Sequence, residues 1–143
     1  MKKLLVIILL VFGTFAISKG QELGVRFGNV AGHNNVAVDA IISLGQFSRV
    51  HADVSFGGGV GVDLIWDFLY KPLGNEAFNW YAGVGATLFL GDPFELGVPG
   101  ELGLEYRFNA PISISLDWRP TLLVVENTDF LFDQGGLNIR FVF

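Results

Sequence analysis

Two histidines and one serine are the side chains of this chain that could support acid–base or nucleophilic chemistry. His33 lies in the piece NVAGHN, and a Ser-His-Asp site there would need a serine on a neighbouring strand end, for which Ser55 is the candidate. No acid is aligned with that pair. We therefore expect no catalytic residues and no enzyme, and a lipid-modifying enzyme built on His33 stays an alternative hypothesis.

The second histidine, His51, stands two positions before Asp53 in an alternating stretch. This setting predicts a place in a buried polar network rather than a catalytic role. The two histidines lie far apart in depth on their predicted strands, which makes a shared metal site a poor prospect, and the chain has no cysteine. We expect neither a metal nor another cofactor.

The composition is apolar, with 51% hydrophobic and only 16% charged residues and a formal net charge of −5. Nucleic-acid binders carry basic patches, so we expect no nucleic-acid partner. The glycine-rich pieces GGGVGVD and AGVGA lack the spacing and the following helix of a phosphate loop. They are interpreted as a hairpin turn and as a strand with small inward residues.

The elements that must position these residues are strands, because apolar and polar residues alternate throughout the chain after residue 21. The alternation predicts about eight strands of a length suited to crossing a bilayer at a tilt. Between them lie turn-rich pieces, of which the longest are KPLGNEAFN, GDPFELGVPG and ENTDFLFDQGG. The predicted strands are residues 23–28, 36–44, 49–56, 60–68, 80–88, 101–108, 112–119 and 137–143.

The polar faces of these strands carry short acids, all five arginines, glycine and serine, whereas the lysines lie outside the strands. A narrow interior needs small residues and opposite charges that neutralise one another. This predicts a charge network that plugs a lumen. Its expected members are Arg26, Asp39, Arg49, His51, Asp53, Asp63, Asp67, Glu101, Glu105, Arg107, Asp117, Arg119 and Arg140.

The apolar faces carry no charge, and their large side chains would overfill the interior of a barrel of about eight strands. Turned outward, they form a lipid-facing band, and a sheet in lipid must close because it cannot leave unpaired edges. The predicted fold is all-β: a closed antiparallel up-and-down transmembrane β-barrel with short loops. With both termini in the periplasm, an aromatic girdle is expected at that end from Phe47, Trp66, Phe68, Tyr70, Phe78, Trp80, Tyr106, Phe108, Phe141 and Phe143, and another from Phe27, Phe56, Phe94 and Trp118.

Residues 1–20 have the layout of a secretory signal: two lysines, a short apolar stretch and small residues before Gln21. The expected cleavage after Gly20 leaves residues 21–143 as the barrel domain. A retained anchor helix is the alternative, although the apolar stretch is short for one.

In its signal segment and in WYAGVGATLFL, GLEYRFN and the final LNIRFVF, the chain resembles the small OmpA/OmpX-type outer-membrane barrels of Gram-negative bacteria. The resemblance implies an outer-membrane location and contact with outer-membrane lipid. It also implies that the last strand is read by the barrel-assembly machinery through Leu137, Ile139, Phe141 and Phe143. The short outer loops depart from that family and argue against adhesion or receptor roles.

Three functional hypotheses remain beside the favoured one, a plugged barrel with a structural or undefined binding role in the envelope. The first is a narrow channel for small cations or solutes, since the inward acids outnumber the arginines. The second is the lipid-modifying enzyme, and the third is a secreted lipocalin-like carrier. A ligand, the oligomeric state and the role of the outer loops are not encoded in any motif of the sequence.

Overall fold

The computed structural model describes residue 3 and residues 21–31, 33–125 and 128–143. The expected signal segment lies outside these residues except for Lys3, so it stays a prediction. The described chain is all-β. Its strands are β1 (Glu22–Val30), β2 (His33–Ser43), β3 (Arg49–Phe56), β4 (Gly59–Leu73), β5 (Asn75–Gly91), β6 (Glu95–Arg107), β7 (Ile112–Trp118), β8 (Thr121–Val125), β9 (Asp129–Leu131) and β10 (Gly135–Val142).

These strands form one closed antiparallel sheet in up-and-down order. Strand β6 pairs with both β7 and β8, which are separated only by residues 119–120 and together form one wall of the barrel. Likewise β9 pairs with β8, and β10 pairs with β7. The sheet closes where β1 pairs with β10 from Glu22↔Val142 to Gly28↔Gly136. This confirms the predicted closed barrel of about eight strands.

The two ends of the barrel differ in what they carry. The end at which β1 begins and β10 finishes, here the terminal end, also holds the turns at 44–48, 74 and 108–111. The opposite end, here the far end, holds Ala31, the turns at 57–58 and 92–94, and Thr128. All the connections are short, so most backbone N–H and C=O groups are hydrogen-bonded between neighbouring strands of the sheet.

Strands β4, β5, β6 and β9 extend into pieces that the sequence predicted to be turns. Residues 95–100 belong to β6, where Leu96 and Val98 are exposed while Gly97 and Pro99 are buried. Inward and outward positions still alternate through this segment. The sequence does not show this alternation, because the inward positions hold glycine and proline instead of polar residues. The predicted start of this strand at residue 101 is therefore corrected to Glu95. Pairing of β6 with β5 and β8 holds the additional residues, and glycine and proline are tolerated at these positions.

A β-bulge in β4 corrects one predicted side-chain direction. The register with β5 shifts between Trp66 and Leu69, so the side-chain alternation moves by one residue. Phe68 is exposed as expected, but Tyr70 turns inward, where its hydroxyl donates to Glu105 Oε1 at 2.6 Å. Tyr70 therefore belongs to the interior and not to the aromatic girdle.

Burial along the barrel is the reverse of that in a water-soluble domain. Among the described residues, twenty-one polar or charged residues are buried against eight hydrophobic ones, and many large apolar side chains are exposed. Leu64, Trp66 and Leu116 expose 55%, 53% and 62% of their surface. The polar faces of the strands thus point into the lumen. Within the described residues, no helix has the length and apolar character needed to cross a membrane.

Candidate functional site in the barrel interior

A row of three carboxylates crosses the middle of the lumen. Asp39 on β2 lies directly opposite Asp53 on β3, and Asp53 lies opposite Asp63 on β4. Like charges in directly opposed positions destabilise a sheet. The row can persist in a dry interior only because cationic side chains reach it from the other side of the barrel.

Arg119 is the main partner of this row. It stands at the break between β7 and β8 and is almost fully buried. Its Nη1 lies 2.7 Å from Asp53 Oδ2 and 2.8 Å from Asp63 Oδ2, and its Nη2 donates to Glu101 Oε1 at 2.9 Å. The interruption of the strand thus places one guanidinium among three carboxylates.

His51 lies beside Arg119 and connects two further acids. Its Nε2 is 2.6 Å from Asp39 Oδ1, and its Nδ1 is 2.9 Å from Glu101 Oε1. The ring is completely buried. This placement agrees with an interior polar role for His51, and both of its nitrogens face carboxylates.

Arg140 joins the middle of the lumen to its terminal end. It extends from β10, next to the closing seam, and its Nε donates to Asp39 Oδ2 at 2.5 Å. Its Nη1 reaches Glu105 Oε2 at 3.4 Å. A single residue on the last strand therefore links carboxylates from β2 and β6.

Arg26 and Asp117 form a bidentate pair towards the far end. Arg26 Nη1 and Nη2 donate to the two carboxylate oxygens of Asp117 at 2.6 and 2.8 Å, and Asn138 Nδ2 donates to the same carboxylate at 2.7 Å. The guanidinium lies against Gly136, where a Cβ would come within 2.6 Å of its carbon atom. Glycine at this position makes room for the arginine.

The terminal end of the lumen holds a second cluster around Arg49. This guanidinium contacts Asp67 at 3.0 Å and Glu105 at 2.9 Å, and it lies between the rings of Tyr70 and Tyr81, with centroids 4.2 and 4.5 Å away. Stacking on two aromatic faces stabilises a desolvated guanidinium. Arg49 is therefore fixed from both sides.

Arg107 closes this cluster towards solvent. Its Nη2 lies 3.3 Å from Glu22 Oε2 and its Nε donates to Glu105 Oε1 at 2.9 Å. With 33% of its side chain exposed, it is the most accessible of the predicted network arginines. The terminal end of the lumen is thus closed by an ion-paired residue.

The structure places all thirteen predicted network residues in the lumen, and the Arg26–Asp117 pair meets the others where Arg119 Nε lies 3.8 Å from Asp117 Oδ1. Sequence reasoning left further polar participants out of the network, which include Glu22, Tyr70, Tyr81, Thr87, Ser113, Ser115 and Asn138. Extending the polar face of the first strand two residues back, from Gly24 to Glu22, would have identified Glu22. Asn138 stands on the polar face of the closing strand, whereas Tyr70 depends on the bulge and had no sequence signal.

An apolar layer closes the lumen at the far end. Val30, Ala31, Phe89 and Leu123 are buried there, each with 4% or less of its surface exposed. The backbone N–H of Ala31, a residue with a φ of 51°, donates to Asp63 Oδ1 at 3.1 Å. Ala31 therefore lies over the charge network and helps to cover it at this end.

His33 lies outside this layer and pairs with an acid. Its Nε2 is 3.1 Å from Glu95 Oε2, and its ring stacks on Phe89 with centroids 3.9 Å apart. Ser55 is buried, and its Oγ has no hydrogen-bond partner among the described residues. The structure thus gives His33 a carboxylate neighbour but does not join it to Ser55.

The residues of the expected assembly signal lie on the outer face of β10. Ile139, Phe141 and Phe143 expose 42%, 49% and 50% of their surface, and Leu137 is half-buried. Phe141 and Phe143 contact each other edge to face at 5.1 Å. This strand therefore presents a continuous apolar row beside the closing seam.

Comparison with protein-family models, with curated proteins and with solved structures gives no match for this chain. We therefore infer its function from the two surfaces of the barrel. The inner surface is a dense, paired charge network, and the outer surface is apolar.

Proposed function

We propose that this chain is an integral outer-membrane β-barrel protein whose lumen is plugged by ion pairs and which has a structural or binding role in the cell envelope. The observation that carries the proposal is the inverted burial of the barrel: charges inside, large apolar side chains outside. The sequence resemblance to OmpA/OmpX-type barrels of Gram-negative bacteria supports the same assignment.

Water is a poor solvent for the outer face. The exposed side chains include Leu64, Leu102, Leu104 and Leu116, which form part of a band around the middle of the barrel. Each apolar Å² left in water costs about 25 cal/mol relative to an apolar environment. A soluble lipocalin-like carrier would direct such residues inward, so the band favours acyl chains as its partner.

The aromatic residues support an orientation in the bilayer. Phe47, Trp66 and Phe68 expose 46%, 53% and 44% of their surface close to the terminal end. Trp66 also donates from Nε1 to Ser48 Oγ at 2.8 Å, which anchors its polar edge. Trp and Tyr concentrate at membrane interfaces, where rings meet headgroups. The terminal end would then face the periplasm.

The filled lumen supports a closed barrel over a channel. Arg26, Asp39, His51 and Arg140 are each no more than 1% exposed, so no continuous aqueous path runs along them. The apolar layer at the far end adds a second closure. Barrels of eight strands have interiors filled by side chains, and we propose that this one maintains envelope structure or binds a partner at its surface.

The outer face of β10 would serve assembly. Its exposed Ile139, Phe141 and Phe143 match the alternating apolar pattern that the resemblance connects with the barrel-assembly machinery. Replacing Phe141 and Phe143 with serine should slow insertion in cells without disturbing the lumen, since neither side chain points inward.

The decisive test combines cell fractionation with gel mobility. The full chain should sediment with outer membranes, and in cold detergent it should migrate differently from the boiled sample, because membrane barrels stay folded there. Recovery in the soluble fraction, together with mobility that ignores heating, would refute the proposal. Lipid analysis of expressing cells tests the enzyme hypothesis separately: altered lipid A or phospholipid that reverts with His33→Ala would establish it.

A further inference from the structure

We propose that the closed lumen binds two protons, one shared by Asp67 and Glu101 and the other shared by Asp39 and Asp53. This inference goes beyond the proposed function and rests on the contacts and charges of the interior. The first pair joins β4 to β6, and the second joins β2 to β3. Each proton converts a contact between two acids into a hydrogen bond between two walls of the barrel.

Asp67 and Glu101 meet in the lumen without a donor between them. Their side chains are in hydrogen-bond contact, and both are buried. Arg49 Nε donates to Asp67 Oδ2 at 3.0 Å, but Asp67 Oδ1 has no hydrogen-bond partner among the described residues. Oδ1 lies beside Gly83, which pairs in register with Glu101. Ionised carboxylates only accept, whereas a protonated carboxyl donates one O–H, so a proton on Asp67 turns this contact into a hydrogen bond.

Asp39 and Asp53 form a second contact of the same kind. They are directly opposed on β2 and β3, and their side chains are in hydrogen-bond contact. Asp53 Oδ1 has no hydrogen-bond partner in the part of the chain that the structure describes. Two like charges at opposed positions repel, and burial strengthens the repulsion. A proton on Asp53 removes this repulsion and gives Asp39 one more donor.

His51 indicates which acid of each pair stays ionised. Its Nε2 lies 2.6 Å from Asp39 Oδ1, and its Nδ1 lies 2.9 Å from Glu101 Oε1. A ring that faces a carboxylate at each nitrogen donates from both and carries a positive charge. Arg140 Nε also donates to Asp39, and Arg119 Nη2 donates to Glu101. Asp39 and Glu101 are therefore the ionised acids, and their partners carry the protons.

The charge of the lumen agrees with two bound protons. The five arginines of the chain and His51 supply six positive charges. The buried carboxylates among the described residues number eight, at Glu22, Asp39, Asp53, Asp63, Asp67, Glu101, Glu105 and Asp117. Eight negative and six positive charges leave two negative charges, and an uncompensated charge in a dry interior is costly. One proton on each acid pair makes the interior neutral.

The cations nearest to the two pairs contact the other carboxylate oxygens. Arg119 Nη1 lies 2.7 Å from Asp53 Oδ2, and Arg49 occupies Asp67 Oδ2 in the same way. Neither guanidinium supplies a hydrogen bond to the free Oδ1 atoms. Among the described residues, the charged and titratable side chains that face the two pairs are Arg26, Arg49, His51, Asp63, Tyr81, Arg119 and Arg140.

Proton uptake during folding tests the count. At pH 8 the unfolded chain has released the protons of its carboxyls and nearly all those of its histidines. The full chain, diluted from urea into lipid vesicles in weak buffer with a pH indicator, should take up about three protons, two on the acid pairs and one on His51. Asp67→Asn and Asp53→Asn should each reduce the uptake by about one, because asparagine replaces the O–H donor with an N–H donor.

Asp117→Asn is the matched control, since Asp117 faces Arg26 in a bidentate ion pair. It should leave proton uptake unchanged but lower the folding equilibrium constant about 100-fold or more, because it leaves a buried guanidinium without its counterion. Asp67→Asn should change that constant by less than about 10-fold at neutral pH, since the neutral side chain resembles the protonated acid. Unchanged uptake in Asp67→Asn or in Asp53→Asn would overturn the proposal.

The dependence of stability on pH gives a second measurement. The folded barrel holds more protons than the unfolded chain above about pH 5, so its stability should fall as the pH rises. Each retained proton changes the unfolding equilibrium constant about 10-fold per pH unit, and Asp67→Asn should show a slope smaller by one proton. Infrared spectra of the folded wild-type protein at pH 8 should contain the C=O band of a protonated carboxyl. Absence of that band would overturn the proposal, whether or not the variants fold.

Discussion

The ring of Tyr81 occupies the space that Gly103 leaves free on the neighbouring strand. The two residues are cross-strand partners on β5 and β6, and a Cβ at Gly103 would overlap the ring and the hydroxyl of Tyr81. Tyr81 is completely buried and forms one wall of the stack around Arg49. The absence of a side chain at Gly103 thus makes room for Tyr81, which in turn packs against Arg49.

Gly103→Ala should destabilise the folded barrel by about 1–3 kcal/mol, because overpacking forces Tyr81 out of its place. Unfolding in urea, followed by tryptophan fluorescence, measures the change. Gly100→Ala on the same strand is the matched control, since a Cβ there would meet its nearest neighbour at an ordinary 3.8 Å. Equal stability of the two variants would contradict this role for Gly103.

Arg26 and Asp117 should show strong energetic coupling. Arg26→Met or Asp117→Asn alone disrupts a buried pair and should cost about 3–5 kcal/mol, whereas the double variant should cost clearly less than the sum. A double-mutant cycle in urea measures the difference. His33→Ala with Glu95→Gln serves as control: that pair is partly exposed, at 38% and 13%, and should couple by less than about 1 kcal/mol. Additive effects of Arg26→Met and Asp117→Asn would be the contrary result.

The depth of an outward residue should decide the effect of a charge placed there. Leu64 and Leu73 both lie on β4 and expose 55% and 53% of their surface, but Leu64 lies at mid-height and Leu73 at the terminal end. In lipid, Leu64→Arg should destabilise the barrel by about 2–4 kcal/mol and Leu73→Arg by about 0–1 kcal/mol. Stability measured in vesicles tests this. Two equal effects would argue against a bilayer around the barrel.

Reconstituted protein should produce no conductance steps in planar bilayers at neutral pH, because ion pairs and the far-end apolar layer fill the lumen. A large porin prepared in the same detergent is the positive control. Reproducible cation-selective steps from the wild-type protein would instead favour the narrow channel.

The sequence predicted the barrel because alternation with a period of two is a local property of each strand. It also predicted which charges share the interior, since Arg26, Asp53 and Glu101 each stand on a polar face. The partner of each charge could not be predicted. Contacts such as Arg140 with Asp39 depend on the register between distant strands, and the direction of Tyr70 depends on a bulge without a local signature.

The ion pairs inside this barrel depend on closure of the seam between β1 and β10. Arg26 lies on one side of the seam and Arg140 on the other, and their carboxylate partners belong to β7 and β2. Until the first and last strands meet, Arg26 cannot reach Asp117 and Arg140 cannot reach Asp39, so the unclosed sheet leaves these charged groups without their partners across the seam. Pairing of the last strand with the first therefore brings these opposite charges together in the same step that removes the unpaired edges of the sheet.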